Sequence, residues 1–366
     1  ILRISDEIMA IPKIPVAFRN GYEMNVNIGD QSAPLDNTIA CNGENSFISI
    51  SNTFIEFYDK DILKYRNNLS EFLNYEIPAP CDPKVCFDQI SNKFIIFFQR
   101  CDRAYNKSEI IIGFSKTNDP MNGWYFYKLS GNPLNIYNHW FDFPKIGISQ
   151  DGLFISGNIF IGSQSFDQTV VYQIDKSLGF RGEPLKYIIW YDIMEKPFTL
   201  MPVSYGLNNT YGKGIYLLTT SWQPNADHIK LYDITGNIYD NSTSMNFYKV
   251  YCPPYNYFAK ALQFDNNYID NGDIRIQDAL LYDNKIYYVF TSGNNGNYSR
   301  INFNVLDIPN LINRALLIGD IATYSYAYPS LQMFSNDGEP PTVFILYNGT
   351  SKNTFPDIRC KICNDN

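Results

Sequence analysis

The chain has 366 residues, of which 45% are hydrophobic, 16% aromatic and only 18% charged, and its net charge is −8. Disordered chains are charge-rich and aromatic-poor, so this one folds around a large core. The acidic balance excludes nucleic acid as the main partner, since phosphate binding needs basic patches, and there is no apolar run of about 18 residues for a membrane-spanning helix.

An opening at Ile1 fits a mature chain freed of a leader, or a piece of something longer. Along the chain one pattern recurs: a polar or proline-bearing start, an alternating strand, a turn with Asp, Asn or Gly, then a strongly apolar strand. A weak copy lies near Leu35, LDNTIACNGENSFISISN. The next begins at Asp82 with DPKVCFDQISNKFIIFF, and another at Asp142 with DFPKIGISQDGLFISGN. Further copies begin at Met201, Asp273 and Tyr328. Six copies, about sixty residues apart, match the length of four-stranded β units, and they fill the chain with no block left for another domain. The expectation is an all-β, six-bladed β-propeller forming a single domain over 1–366. A seventh blade is the alternative, built from Ile229–Ile234 and Ser244–Tyr251. Two short runs, Asp61–Leu73 and Asn310–Ala315, read as helical turns between strands.

The copy starts converge at one mouth of such a fold. Asp82, Asp142 and Asp273, with Tyr328 and Trp140, are therefore the candidate ligand-binding residues, the acids to bond hydroxyls and the aromatics to stack on sugar faces. The bland reading of each acid is an Asx turn at a strand start, and of Trp140 a packing residue. The segment Asp265-Asn-Asn-Tyr-Ile-Asp270-Asn-Gly-Asp273 is rich in oxygen ligands. Asp265, Asn267, Asp270 and Asp273 are candidate Ca2+ ligands there, against the alternative of a solvated loop, and no other cofactor is expected.

Only two histidines occur, His139 and His228, and neither stands in an H-x-x-x-H setting, which excludes a histidine-based zinc site. Ser-His-Asp chemistry would have to use one of them. No G-x-S-x-G element or phosphate-binding glycine loop is present. The seven cysteines are Cys41, Cys81, Cys86, Cys101, Cys252, Cys360 and Cys363, an odd number that cannot all pair within one chain. With Val85–Gln89 and Lys93–Phe97 as a hairpin turning at Ser91, Cys81 comes opposite Cys101. That spacing suits a disulfide, and two buried thiols are the other reading.

Three motifs in order resemble a group of secreted bacterial β-propellers. They are Asp82-Pro-Lys-Val with Phe-Asp-Gln-Ile, then Ser115-Lys-Thr-Asn-Asp-Pro with Gly-Trp124, then Phe143-Pro-Lys-Ile-Gly. The usual wording of that group is D-P-K-V-x-Y-D, S-x-T-x-D-P-x-x-x-W and D-Y-P-K-[IL]-G, and the match covers Leu35 to Phe160. The resemblance implies a sialidase-like propeller architecture and an extracellular or cell-surface location, often as one module of a larger protein. No S-x-D-x-G-x-x-W Asp box is present. Three functions follow as expectations. The first is non-enzymatic adhesion or recognition of a glycan or protein surface. The second is a structural subunit of a surface assembly, with the leftover cysteines linking copies or neighbouring modules. The third is a glycan-cleaving enzyme, which requires acids of raised pKa gathered in one place.

Overall fold

The computed structural model describes residues 36–60, 62–74, 78–101, 107–162, 165–205, 212–264, 266–293, 298–319, 323–334 and 341–364. Among the described residues six sheets of three to five strands follow one another along the chain, with a two-stranded sheet of Ala261–Leu262 and Tyr268–Ile269 besides, and the fold is a six-bladed β-propeller. Blade 1 has strands Thr38–Cys41, Ser46–Ile50, Phe54–Asp59 and Ile62–Asn68; blade 2 has Pro80–Asp88, Lys93–Arg100, Glu109–Ser115 and Trp124–Ser130. Blade 3 has His139–Ile148, Gly152–Ile161, Ser165–Asp175 and Tyr187–Trp190; blade 4 has Met201–Pro202, Ile215–Thr220, Ala226–Ile234 and Met245–Tyr255. Blade 5 has Ile276–Tyr282, Lys285–Gly293, Ser299–Asp307 and Ile312–Ile318, with Ser204–Tyr205 parallel to its first strand. Blade 6 has three strands, Ser325–Phe334, Thr342–Ser351 and Thr354–Asn364. The chain divides into two compact units, residues 148–150 and 197–364 forming one and 36–147 with 151–196 the other.

Burial explains the apolar runs. The second strand of blade 2, KFIIFFQR, is buried at every position from Phe94 to Gln99, because both faces of a middle strand are covered. The fourth strand, WYFYKLS, alternates instead, as an outer strand with one wet face should. Blade 5 repeats this contrast between Lys285–Gly293 and Ile312–Ile318. In the first unit along the chain, Ile48, Phe57, Phe94, Phe98 and Ile111 share one apolar cluster. In the other, Tyr287, Phe303, Met333 and Ile345 share another. Lys176, the first residue of a short helix Lys176–Arg181, reaches Asp88 at 2.8 Å, a fully buried ion pair.

Four expectations need adjustment. No seventh blade forms, because 229–251 supplies the third and fourth strands of blade 4. The run expected to be helical at 61–73 is mostly the strand Ile62–Asn68, and only Leu69–Phe72 is helical, where the Asn68 side chain accepts from the Glu71 amide at 2.9 Å. Residues 312–315 belong to a strand, since Ile312, Leu316 and their neighbours cover the edge of blade 5. Cys81 pairs in the ladder with Gln99, not Cys101, because the register shifts between Cys81 and Lys84. The Cys81–Cys101 disulfide forms nonetheless, with Cα atoms 6.0 Å apart.

Candidate functional site

Proline places the site. Pro83, Pro144 and Pro329 lie inside the first strands of blades 2, 3 and 6, and in blades 2 and 6 the ladder shifts register at the proline, where a residue without an N–H breaks it least. Each is preceded by a residue in the left-handed region: Asp82 (φ 48), Phe143 (φ 56) and Tyr328 (φ 52). Asp36 (φ 44) enters blade 1 in the same conformation. Such backbone costs on the order of 1–3 kcal/mol and persists where neighbours bond it. The Asp82 amide donates to Asn52 Oδ1 at 2.7 Å, the Phe143 amide to Asp142 Oδ1 at 2.7 Å, and the Tyr328 hydroxyl to the Asp270 carbonyl at 3.1 Å. The repeat equivalence is therefore Asp82, Phe143 and Tyr328; Asp142 stands one residue earlier, since the proline sets the phase.

That offset turns Asp142 toward Asp82. Gln99, on the strand beside Asp82, is 2% exposed and donates through one nitrogen to both acids, to Asp82 Oδ2 and, at 3.0 Å, to Asp142 Oδ1. Its Oε1 is buried with no partner. Asp36 joins from blade 1, hydrogen-bonded to Asp82 and held by the Asn52 side chain at 3.0 Å. Three carboxylates from three successive strand entries thus meet. Asp82 responds by holding its proton to about 7: burial is the largest cause, followed by the charge of Asp142 and the hydrogen bond and charge of Asp36, with Lys84 opposing. Burial lowers the Lys84 ammonium below its ordinary value, against the pull of Asp82 and Asp36. The disulfide brackets this cluster, Cys81 before Asp82 and Cys101 two residues after Gln99. Cys81, Asp82 and Cys101 also lie close enough to share an ion, but both sulfurs are committed to the disulfide, so the trio lacks two of its three ligands.

The other candidates do other things. Trp140 donates its indole N–H to the Gly162 carbonyl at 2.8 Å and stacks on Phe160 at 5.2 Å, so its ring packs within blade 3. Asp273 is bound by Arg275 at 2.8 Å, and its other oxygen takes the Arg275 amide at 2.9 Å. Tyr328 lies in the same unit as Asp273. Of the calcium candidates, Asp265 lies outside the described residues. Asp270 closes a turn onto the Gly272 amide at 2.9 Å, and the Asn267 carbonyl accepts from the Gln263 amide at 3.0 Å. A depression of about 460 Å3 in blades 1 and 2, lined by Asn42, Glu44, Tyr58, Lys64 and Met121, contains none of the cluster residues.

Sequence reasoning missed Asp36, Asn52, Lys84 and Gln99. Asp36 had a signal, since it follows Leu35 at the start of the weak copy, and Lys84 sits inside the D-P-K motif. Gln99 carried one too, as the polar residue ending an apolar run.

No protein-family model matches the chain, and no curated protein matches it. Among solved structures it is similar to the subtype N11 neuraminidase-like protein of A/flat-faced bat/Peru/033/2010, with a TM-score of 0.46 and 11% identity over 90% of this chain and 86% of that one. It is similar to the apocarotenoid oxygenase of Synechocystis, with a TM-score of 0.48 and 8% identity over 86% of this chain and 67% of that one. It is also similar to the α-L-arabinanase of Cellvibrio cellulosa, with a TM-score of 0.37 and 9% identity over 89% and 90%. Among the described residues no helix is long and apolar enough to cross a membrane.

Proposed function

We propose that the chain is an extracellular β-propeller that recognises a glycan at the Asp36, Asp82 and Asp142 cluster. The observation that carries this reading is the convergence of Asp36 and Asp142 on Asp82, with Gln99 bridging Asp82 and Asp142. The three acids are only half-buried, so they remain open to a ligand. With Asp82 protonated near neutral pH, the cluster offers a donor beside acceptors, which suits the hydroxyls of a neutral sugar. Phe143, next to Asp142 and 36% exposed, adds an apolar edge for a sugar face. The Cys81–Cys101 disulfide supports an oxidising, extracellular setting, since such bonds are rare in reducing compartments.

A second reading, hydrolysis of the bound glycan, is favoured by one observation. Asp82 keeps its proton to about 7 beside the charged Asp142, the division of labour a general acid and its partner carboxylate need. A glycan array with product analysis of every hit tests both. Saturable binding without product, weakened at least about tenfold in Asp142→Asn, supports recognition. Product release that disappears in Asp82→Asn puts hydrolysis first. An array without hits overturns both.

A further inference from the structure

Blade 4 holds a second constellation, in the other unit and independent of the carboxylate cluster. Ser221 follows the strand Ile215–Thr220, and His228 lies in the next strand, Ala226–Ile234. A register shift between Ala226 and His228 places Asp227 in a bulge, so that consecutive side chains reach each other instead of pointing to opposite faces. His228 Nε2 is 2.8 Å from Ser221 Oγ, and His228 Nδ1 is 2.8 Å from Asp227 Oδ1. The Asp227 carboxylate accepts a hydrogen bond from His228 Nδ1–H, which leaves the Nε2 lone pair facing the serine hydroxyl. The imidazole bond in turn holds the Asp227 carboxyl below its ordinary range.

The hairpin does not depend on these side chains. The Tyr255 hydroxyl accepts from the Ser221 amide at 2.7 Å and donates to the His228 carbonyl at 2.8 Å, tying the two backbones together. Ser221 and His228 are 6% and 7% exposed, while Trp222 beside them is 39% exposed. The Trp222 ring meets Phe198 edge-on at 4.8 Å and approaches Tyr257 at 6.2 Å, forming an aromatic shelf at the residue that follows Ser221.

We propose that Ser221, His228 and Asp227 form a nucleophile, base and orienting acid that hydrolyse short-chain carboxylic esters, with Trp222 and Tyr257 receiving the apolar part of the substrate. Ser221 Oγ bonds to the ester carbonyl carbon as its proton passes to His228 Nε2. The ester C–O bond breaks, and the alcohol leaves with that proton. Water then attacks the acyl-serine, giving a proton to Nε2, and the carboxylic acid departs as the proton returns to Oγ.

The experiment is labelling of the full chain with a fluorophosphonate, located by peptide mapping, alongside turnover of p-nitrophenyl acetate. The wild type labels at Ser221 and hydrolyses the ester. Ser221→Ala loses the label and at least about 100-fold in rate while its circular dichroism and melting temperature stay unchanged, and His228→Gln falls comparably. Asp227→Asn retains the fold and loses at least about tenfold. Ser165→Ala, an exposed serine in the other unit, behaves as wild type. A folded wild-type chain whose Ser221 takes no label, or a Ser221→Ala variant as active as wild type, overturns the proposal.

Discussion

At the scale of single residues, Asp82 converts burial into pH dependence. Its carboxyl is held near 7 in the fold against about 3.9 in an unfolded chain. The fold therefore favours the protonated form. That contribution is fully present below about pH 4 and is lost as the pH rises through about 7. Urea unfolding between pH 4 and pH 8 is expected to show wild-type stability falling by a few kcal/mol relative to Asp82→Asn, which keeps an acceptor for Gln99 but has no proton to lose. A constant difference between the two across that range would remove the electrostatic account of the cluster. Asp82 and Asp142 were readable because each opens a repeat copy beside a proline. Gln99 carried only the signal of a polar residue ending an apolar run, since nothing in a single strand says which acids will flank its amide.

At the scale of elements, the blade is an apolar hairpin whose neighbours press on it from both sides. Blade 3 shows how tightly: a methyl group added at Gly157 would overlap the ring of Phe141 on the adjoining strand. Gly157→Ala is expected to cost about 1–3 kcal/mol, read as a lowered denaturation midpoint, because the buried ring must leave its place. An unchanged midpoint would show that the ring moves aside freely. Hairpins such as Pro80–Asp88 with Lys93–Arg100 were legible from alternation and turn residues. Of the helical readings at 61–73 and 310–315, one turn stands at Leu69–Phe72 and 62–68 and 312–315 are strand, because short polar-apolar runs fit either period and pairing with a neighbouring strand decides between them.

For the molecule as a whole, the cysteines separate by environment. Cys81 and Cys101 are joined, Cys41 and Cys360 are exposed, and Cys363 is buried within blade 6. Burial raises the thiols of Cys86 and Cys252 to about 12 and of Cys363 to about 11. Cys360 and Cys363, three apart on one strand, face opposite sides, so the C-x-x-C pair is divided between surface and core. A thiol reagent at neutral pH is expected to modify two cysteines quickly in the native chain, Cys41 and Cys360, Cys86 and Cys252 slowly because their thiols are raised, and Cys363 only after unfolding. Five fast thiols would contradict the burial of Cys363 and the raised thiols of the half-buried Cys86 and Cys252. Copies linked through disulfides, the surface-assembly reading, would have to use one of the two fast ones.

Strand content and the number of blades were legible in the sequence, because alternation, turn residues and repeat spacing are local properties that survive without knowledge of the fold; register was not, since Cys81 pairs with Gln99 and not with Cys101. Tertiary structure alone decided which side chains meet. The prolines fix the phase at which Asp82 and Asp142 stand in their strands, and the meeting of these acids with Asp36 depends on residues far apart in the chain. Ser221 and His228 are close in sequence, yet only the bulge at Asp227 turns an ordinary hairpin into a hydrogen-bonded chain of acid, base and hydroxyl. Alternation assigns a residue to a face; a one-residue shift reverses that assignment, and such shifts are set by packing that no single strand records.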